Sequence, residues 1–165
     1  MKKVMIVMGS DSDWAVMKKA AQTLREFEVE YEIHVASAHR TTSRALELAE
    51  GAVGRGIEII IAGAGAAAHL PGVLAAVTPL PVIGIPINAT SLHGIDALYA
   101  IVQMPSGIPV ATVAVDGAKN AALLAVQMLG IKHTDLREKM VQFKLQMASE
   151  VDAKNEKVQQ LNREL

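Results

Sequence analysis

The chain has 165 residues with a formal net charge of −1 and no basic stripe, so it is long enough for one cored domain and is not expected to bind nucleic acid. It has no cysteine, which excludes disulfides and thiolate chemistry and makes the cytoplasm the expected compartment. Hydrophobic residues make up 51% but aromatics only 3%, with a mean hydropathy of +0.28, so the core must be built from Ala, Val, Ile, Leu and Met, and part of this apolar excess is expected in subunit interfaces.

Strand-like and helix-like segments alternate along the chain. Lys3 to Met8 is a β-branched run that Gly9-Ser10-Asp11-Ser12 closes, and it reads as a first strand, too short for a signal-peptide core. Asp13 can cap a helix from Trp14 to about Glu28, with Trp14, Met17, Ala21 and Leu24 on one face. Glu30 to Ala36 alternates apolar and polar residues, as an edge strand does. Thr42 or Ser43 can cap a second helix ending near Gly54-Arg55-Gly56. Ile57 to Ala62 is apolar almost throughout, which predicts a central strand, followed by the glycine-alanine stretch Gly63 to Ala68 and a helix beyond His69-Leu70-Pro71-Gly72. Pro81 to Ile87 and Ile108 to Val115 are the fourth and fifth strands, with a helix around Ile95 to Met104 between them. Ala118 to Leu129 is a small-residue helix stopped by Gly130.

This pattern predicts an α/β fold in one domain over 1–165: a three-layer α/β/α sandwich on a flavodoxin-like five-stranded parallel sheet in the core, 1–130. The segment 131–165 is expected to be a helical extension: Asp135 to Leu165 lacks proline and glycine and reads either as one long helix, about 45 Å over thirty residues, or as a helix that frays beyond Val151. Leu136, Met140, Phe143, Met147 and Val151 are expected to pack on a neighbouring subunit. No apolar run reaches the about 18 residues that would read as a membrane span.

Three turns carry the polar chemistry. In "GSDSDW", Gly9 to Trp14, Ser10 and Ser12 add hydroxyl donors to the helix-start N–H groups, which suits a phosphate. Asp13 either accepts sugar hydroxyls there or simply caps the helix. In "SAHRT", Arg40 can fork two hydrogen bonds to a phosphate. His39 is either a structural histidine or a group that gives and takes a proton near neutral pH. In "AGAGAAAHLPG", Ala62 to Gly72, a G-x-G-x-x-A match follows the third strand and no acidic residue ends the next one, so a dinucleotide site is disfavoured. The stretch offers instead a flat wall for a planar ligand, with His69 as a second proton carrier, a donor to the ligand, or a cap neighbour. His34, His93 and His133 show no metal-ligand spacing, and there is no P-loop or G-x-S-x-G elbow; neither metal nor cofactor is expected.

Taken in order, "GSDSDW", "SAHRT", "AGAGAAAHLPGV", "PVIGIP" and "YAIVQMPSGIPV" resemble the N5-carboxyaminoimidazole ribonucleotide mutases of bacterial purine synthesis, over Val4 to about Leu129. Ala100 to Val110 resembles the mutase class and not the related direct carboxylases. The resemblance implies a metal-free and ATP-free shift of a carboxylate from exocyclic N5 to ring carbon C4 of a phosphoribosyl imidazole. It implies that His39 protonates the departing nitrogen and then removes the C4 proton. It further implies that Ser10, Ser12 and Arg40 hold the phosphate, Asp13 the ribose, and Ser37, Ala64, Gly65, His69 and Leu70 the imidazole and carboxylate. The partners implied are the small-molecule substrate and other copies of the chain in a homo-octamer, with the C-terminal helix on a neighbour.

Three departures stand out from that family's pattern: Thr42 replaces a proline, Ala66 replaces a second glycine and is expected to crowd the wall by one methyl, and 115–118 is shortened. Two rival readings are a direct aminoimidazole ribonucleotide carboxylase using CO2, and a non-catalytic receiver-like signalling domain. The receiver needs an aspartate after the third strand, where Gly63 to Gly65 stand.

Overall fold

The computed structural model describes residues 2–165. Five short apolar runs form one parallel sheet: β1 (Lys3–Met8), β2 (Glu30–Val35), β3 (Ile59–Gly65), β4 (Val82–Ile87) and β5 (Ala111–Thr112), in the order β2-β1-β3-β4-β5. This is the expected flavodoxin-like order, and its direction of winding reverses between β1 and β3. Alternation along β1 fills both faces of the sheet. Val4, Ile6 and Met8 join α1 (Trp14–Glu26), α5 (Ala118–Leu129) and the start of α6 (Thr134–Arg163) on one side. Met5 and Val7 join α2 (Thr42–Glu50), α3 (Leu70–Val77) and α4 (Ile95–Val102) on the other.

Several boundaries differ from the sequence reading. β3 starts two residues later than the predicted Ile57 but continues through Gly63 to Gly65, because its neighbours β1 and β4 supply ladder partners that glycine's poor strand preference hides. β5 is only Ala111–Thr112, although Val113 N–H still reaches the Gly84 carbonyl at 3.2 Å. Neither Thr42 nor Ser43 caps α2. Thr41 occupies that position without a side-chain cap, and the Thr42 hydroxyl donates to the Ala38 carbonyl at 2.7 Å. Trp14 is 46% exposed and is not on the buried face of α1, which consists of Met17, Ala20, Ala21, Thr23 and Leu24. The shortened 115–118 segment is latched, with the Asp116 carboxylate accepting from Asn88 N–H at 3.0 Å while Asp116 itself takes a φ of 56°.

The tail is a single 30-residue helix, α6. Its first turns belong to this chain's own core and not to a neighbour: Leu136 and Met140 are buried against α5, and Phe143 meets Phe27 edge-on with ring centroids 5.6 Å apart. Met147 and Val151 are exposed. Ion pairs hold the start of α6 to the N-terminal edge of the sheet. The Glu58 carboxylate accepts from Lys132 and lies against the His133 ring, both at 3.0 Å, and Lys2–Asp135 and Lys139–Glu28 flank it. No described helix is long and apolar enough to cross a membrane.

Two outcomes test this packing. A Cβ on Gly84 of β4 would lie 2.4 Å from Ile101 Cγ2 and 2.9 Å from Val110 Cγ1, so Gly84→Ala should destabilise by about 1–3 kcal/mol in chemical denaturation. Burial works against the Glu58 charge, but His133 and Lys132 together hold its pKa below the ordinary 4.5. Its contribution is therefore present in full above pH 4.5 and is lost as pH falls through the depressed value. Glu58→Gln should flatten the acid limb of the stability profile and lower stability at pH 7, measured by thermal unfolding across pH.

Candidate active site

Parallel pairing sets the ends of β1 and β2 level and carries β3 two residues beyond them. Met8 is in register with Val35 on one side and with Gly63 on the other. The ladder runs on into the turns, with Ala36 N–H to the Met8 carbonyl at 2.9 Å and Gly9 N–H to the Gly63 carbonyl at 3.2 Å. The turns after β1, β2 and β3 consequently face one another across the point where the winding reverses.

They enclose a cavity of about 230 Å³. Ser10, Ser12, Asp13, Ser37, His39, Arg40, Ala64, Gly65, His69 and Leu70 all line it, so the structure brings every sequence-predicted site residue to one place. Ala38 and Ala89 line it too and escaped the sequence reading. Ala89 comes from the loop after β4, and an alanine there carries no chemical signal. It lies where a Cβ on Gly65 would come within 2.6 Å, so the absence of that side chain is what lets the two strand ends approach.

The first turn is a 3-10 turn over Asp11–Asp13 with Ser10 as its cap. Asp13 does not cap α1 with its side chain. It reaches back to accept Ser10 N–H at 3.1 Å, while Ser10 Oγ accepts Ser12 N–H at 3.3 Å, a reciprocal capping box. Ser12 Oγ donates to Ser10 Oγ at 2.9 Å. Burial pushes the Asp13 carboxyl above its ordinary 3.8, opposed by the Ser10 and Gly9 backbone and reinforced by the Asp11 charge.

The second turn is wound around Ser37. Its hydroxyl oxygen accepts His39 N–H at 3.3 Å and Arg40 N–H at 3.2 Å, and its carbonyl accepts Thr41 N–H at 3.0 Å. This leaves the Ser37 O–H proton available to a ligand. The Arg40 guanidinium leans toward the first turn, with Nη2 3.5 Å from the Gly9 carbonyl, a long contact that leaves most of its donors unspent.

The third turn supplies the wall. β3 ends at Gly65, Ala66 follows at a φ of +50°, and His69 precedes the first residue of α3. The sequence reading expects the Ala66 methyl to crowd the wall. Ala66 does line the cavity, and it also has a conformational feature: it holds a left-handed backbone that glycine adopts without strain.

The two site histidines touch. His39 Nε2 lies 2.7 Å from His69 Nδ1, with the rings nearly perpendicular at 84°. A contact of that length between two ring nitrogens holds one proton: one nitrogen donates and the other accepts. The rings thus form a pair in which a proton can pass from one to the other at the mouth of the cavity. No group of three or more metal-binding side chains occurs among the described residues.

The profile of the AIR carboxylase family matches residues 3–150 of this chain. A relative from Pyrococcus horikoshii named N5-carboxyaminoimidazole ribonucleotide mutase is 58% identical over 156 residues, covering 94% of this chain and 88% of that protein. One of the same name from Thermotoga maritima is 53% identical over 161 residues, covering 98% and 94%. Among solved structures, Treponema denticola PurE superposes with a TM-score of 0.84 at 28% identity, covering 94% of this chain and 97% of that one.

Ala66→Gly relieves the left-handed alanine without touching another side chain. It should raise stability by about 1 kcal/mol, read as an upward shift of the thermal midpoint.

Proposed function

The chain belongs to the AIR carboxylase family, and we propose that it moves a carboxylate from N5 to C4 of N5-carboxyaminoimidazole ribonucleotide, a mutase reaction of purine biosynthesis, with the His39–His69 pair carrying the proton. The observation that carries the mechanistic half of this reading is the 2.7 Å contact between those two imidazoles in a cavity walled by glycine and alanine. The identity with relatives named as mutases carries the choice of reaction.

In the first step the N5–C bond of the carbamate breaks. Its electron pair returns to nitrogen, which takes a proton from the histidine pair, and CO2 is released into the cavity. In the second step C4 attacks the CO2 carbon, one C–O π pair becomes the new carboxylate, and the C4 proton returns to the pair as the ring regains aromaticity. The proton lent in the first step is recovered in the second, so the pair ends as it began and no outside acid or base is consumed.

A second imidazole within hydrogen-bond reach orients the His39 ring and shares the proton that the pair recovers from C4. Ala64, Gly65 and Leu70 contribute apolar surface that keeps water from the trapped CO2.

The remaining assignments follow the chemistry of each group. Ser10, Ser12 and Arg40 bind the phosphate, and Asp13 accepts a ribose hydroxyl with the carboxylate oxygen that the capping box leaves free. Ser37 donates to the substrate carboxylate. His69 is the hydrogen-bonded partner of His39 and lines the imidazole and carboxylate end. The chain acts in the cytoplasm as a homo-octamer. Support for assembly comes from the outer half of α6, where Leu145, Val151, Val158 and Leu161 are more than half exposed, and from the face of α4 that presents Tyr99 and Val102.

His39→Asn should lower kcat by at least about 10²-fold while substrate affinity stays close to that of the parent, because it removes a proton carrier and leaves the phosphate contacts in place. Isomerisation is followed without ATP or added metal, with substrate affinity measured by calorimetry. Product formed only from aminoimidazole ribonucleotide and added CO2 would replace this reading with direct carboxylation.

A further inference from the structure

Arg40 stands between two cavities. Outward from the histidines lies a second space of about 400 Å³ that shares Gly9, Ser10, Ser37 and Arg40 with the first and adds Asp11 and Arg44 to its walls. Nothing in the reading above uses Arg44.

The charge in this region does not balance without it. The first turn carries two carboxylates, Asp11 and Asp13, and a phosphate monoester brings between one and two further negative charges near neutral pH. Against these, Arg40 is a single positive charge. Arg44 is the other cation on the cavity walls, and among the described residues it belongs to none of the ion pairs.

Folding gives no reason for an arginine there. Arg44 sits in the first turn of α2, where a cation opposes the helix dipole, and no acidic residue in that turn offsets it. Its side chain is exposed, one helical turn along from Arg40, and free to reach into the space they share.

We infer that Arg44 is a phosphate-binding residue: the substrate's phosphate lies where the two cavities join, held by Ser10, Ser12 and Arg40 from the inner side and by Arg44 from the outer, and the inner cavity receives the ring. This assignment deepens the mutase reading and rests on it for the identity of the anion. Arg44 offsets the Asp11 charge, so an anion meets a neutral entrance and not a repulsive one.

The test uses ribose 5-phosphate as a competitor and as a calorimetric ligand, together with turnover, on the full chain and on Arg44→Gln, Arg44→Lys and Arg40→Ala. Arg44→Gln should weaken ribose 5-phosphate binding about fivefold, with the turnover loss falling on KM far more than on kcat. Arg44→Lys should recover most of that affinity. Added salt should weaken the parent more steeply than Arg44→Gln, because one cation fewer is left to screen. If Arg40→Ala weakens binding while Arg44→Gln matches the parent, the assignment of Arg44 is overturned and the mutase site stands. If the parent turns over substrate but neither arginine affects binding, the phosphate lies elsewhere and both arginine assignments fall. If the parent gives no turnover although Arg44→Gln weakens ribose 5-phosphate binding, the anion site stands and the mutase reading falls.

Discussion

The whole site depends on one register. Parallel pairing places Met8 level with Val35 and with Gly63, so β1 and β2 stop along one line, β3 runs two residues further beside β4, and three turns open on the same edge of the sheet. A slip of one residue in either pairing would exchange the faces of an entire strand and carry its turn about 3.3 Å out of line. The hydrophobic pattern guards against this, because Val4, Ile6 and Met8 pack with one layer of helices while Met5 and Val7 pack with the other. The same alternation that makes the core thus fixes how His39 meets His69, although those residues are 30 positions apart.

The cavity exists because side chains are missing where the backbone crowds. Gly63 lies under Met17, whose sulfur would stand 2.4 Å from an added Cβ, and Gly65 lies against Ala89. Close helix–sheet packing and a wall without projecting groups are two results of the same small residues. Aliphatic packing suffices for the core, and the low aromatic content follows. The polar groups are concentrated on the opposite side, in turns whose own hydrogen bonds hold them: the Ser10–Asp13 box and the bonds that Ser37 gathers from His39, Arg40 and Thr41. Each turn is ordered before a ligand arrives, so binding need not supply that ordering.

Much of this is legible in the sequence, and what is not has a physical reason. Strand order, the limits of α5 and the convergence of three polar turns follow from periodicity and from where polar residues interrupt it, whereas the roles of Ser37, Ala64, Gly65 and Leu70 toward the imidazole and carboxylate come only from the family resemblance. The extension of β3 through its glycines is hidden because glycine has little strand preference of its own: Gly63 is held by β1 and β4, and Gly65 by β4 alone. Leu136 and Met140 read as partner-facing because a helix longer than its domain says nothing of where it first touches that domain. The ion pairs of Glu58, Lys2 and Lys139 settle that, and they join residues far apart in the chain. Asp13 reads as the cap of α1 by composition, yet its side chain turns the other way to satisfy Ser10. Arg44 is visible only once Arg40 is seen with a cavity on each side.

The position of β1 in the sheet also has a consequence in time. Its partner β2 follows it after a single helix, but its other partner, β3, begins only at Ile59. During synthesis the first strand therefore waits with one edge bare while the intervening chain is made, and non-local pairing of this kind is slow to form. When β3 is complete, the turns that carry Ser10, Ser12, Asp13, Ser37, His39 and Arg40 have been made, and Ala66, Ala67, His69, Leu70 and Ala89 of the cavity lining are still to come. Most of the cavity's polar lining is thus written first, and the later strands and helices close against it.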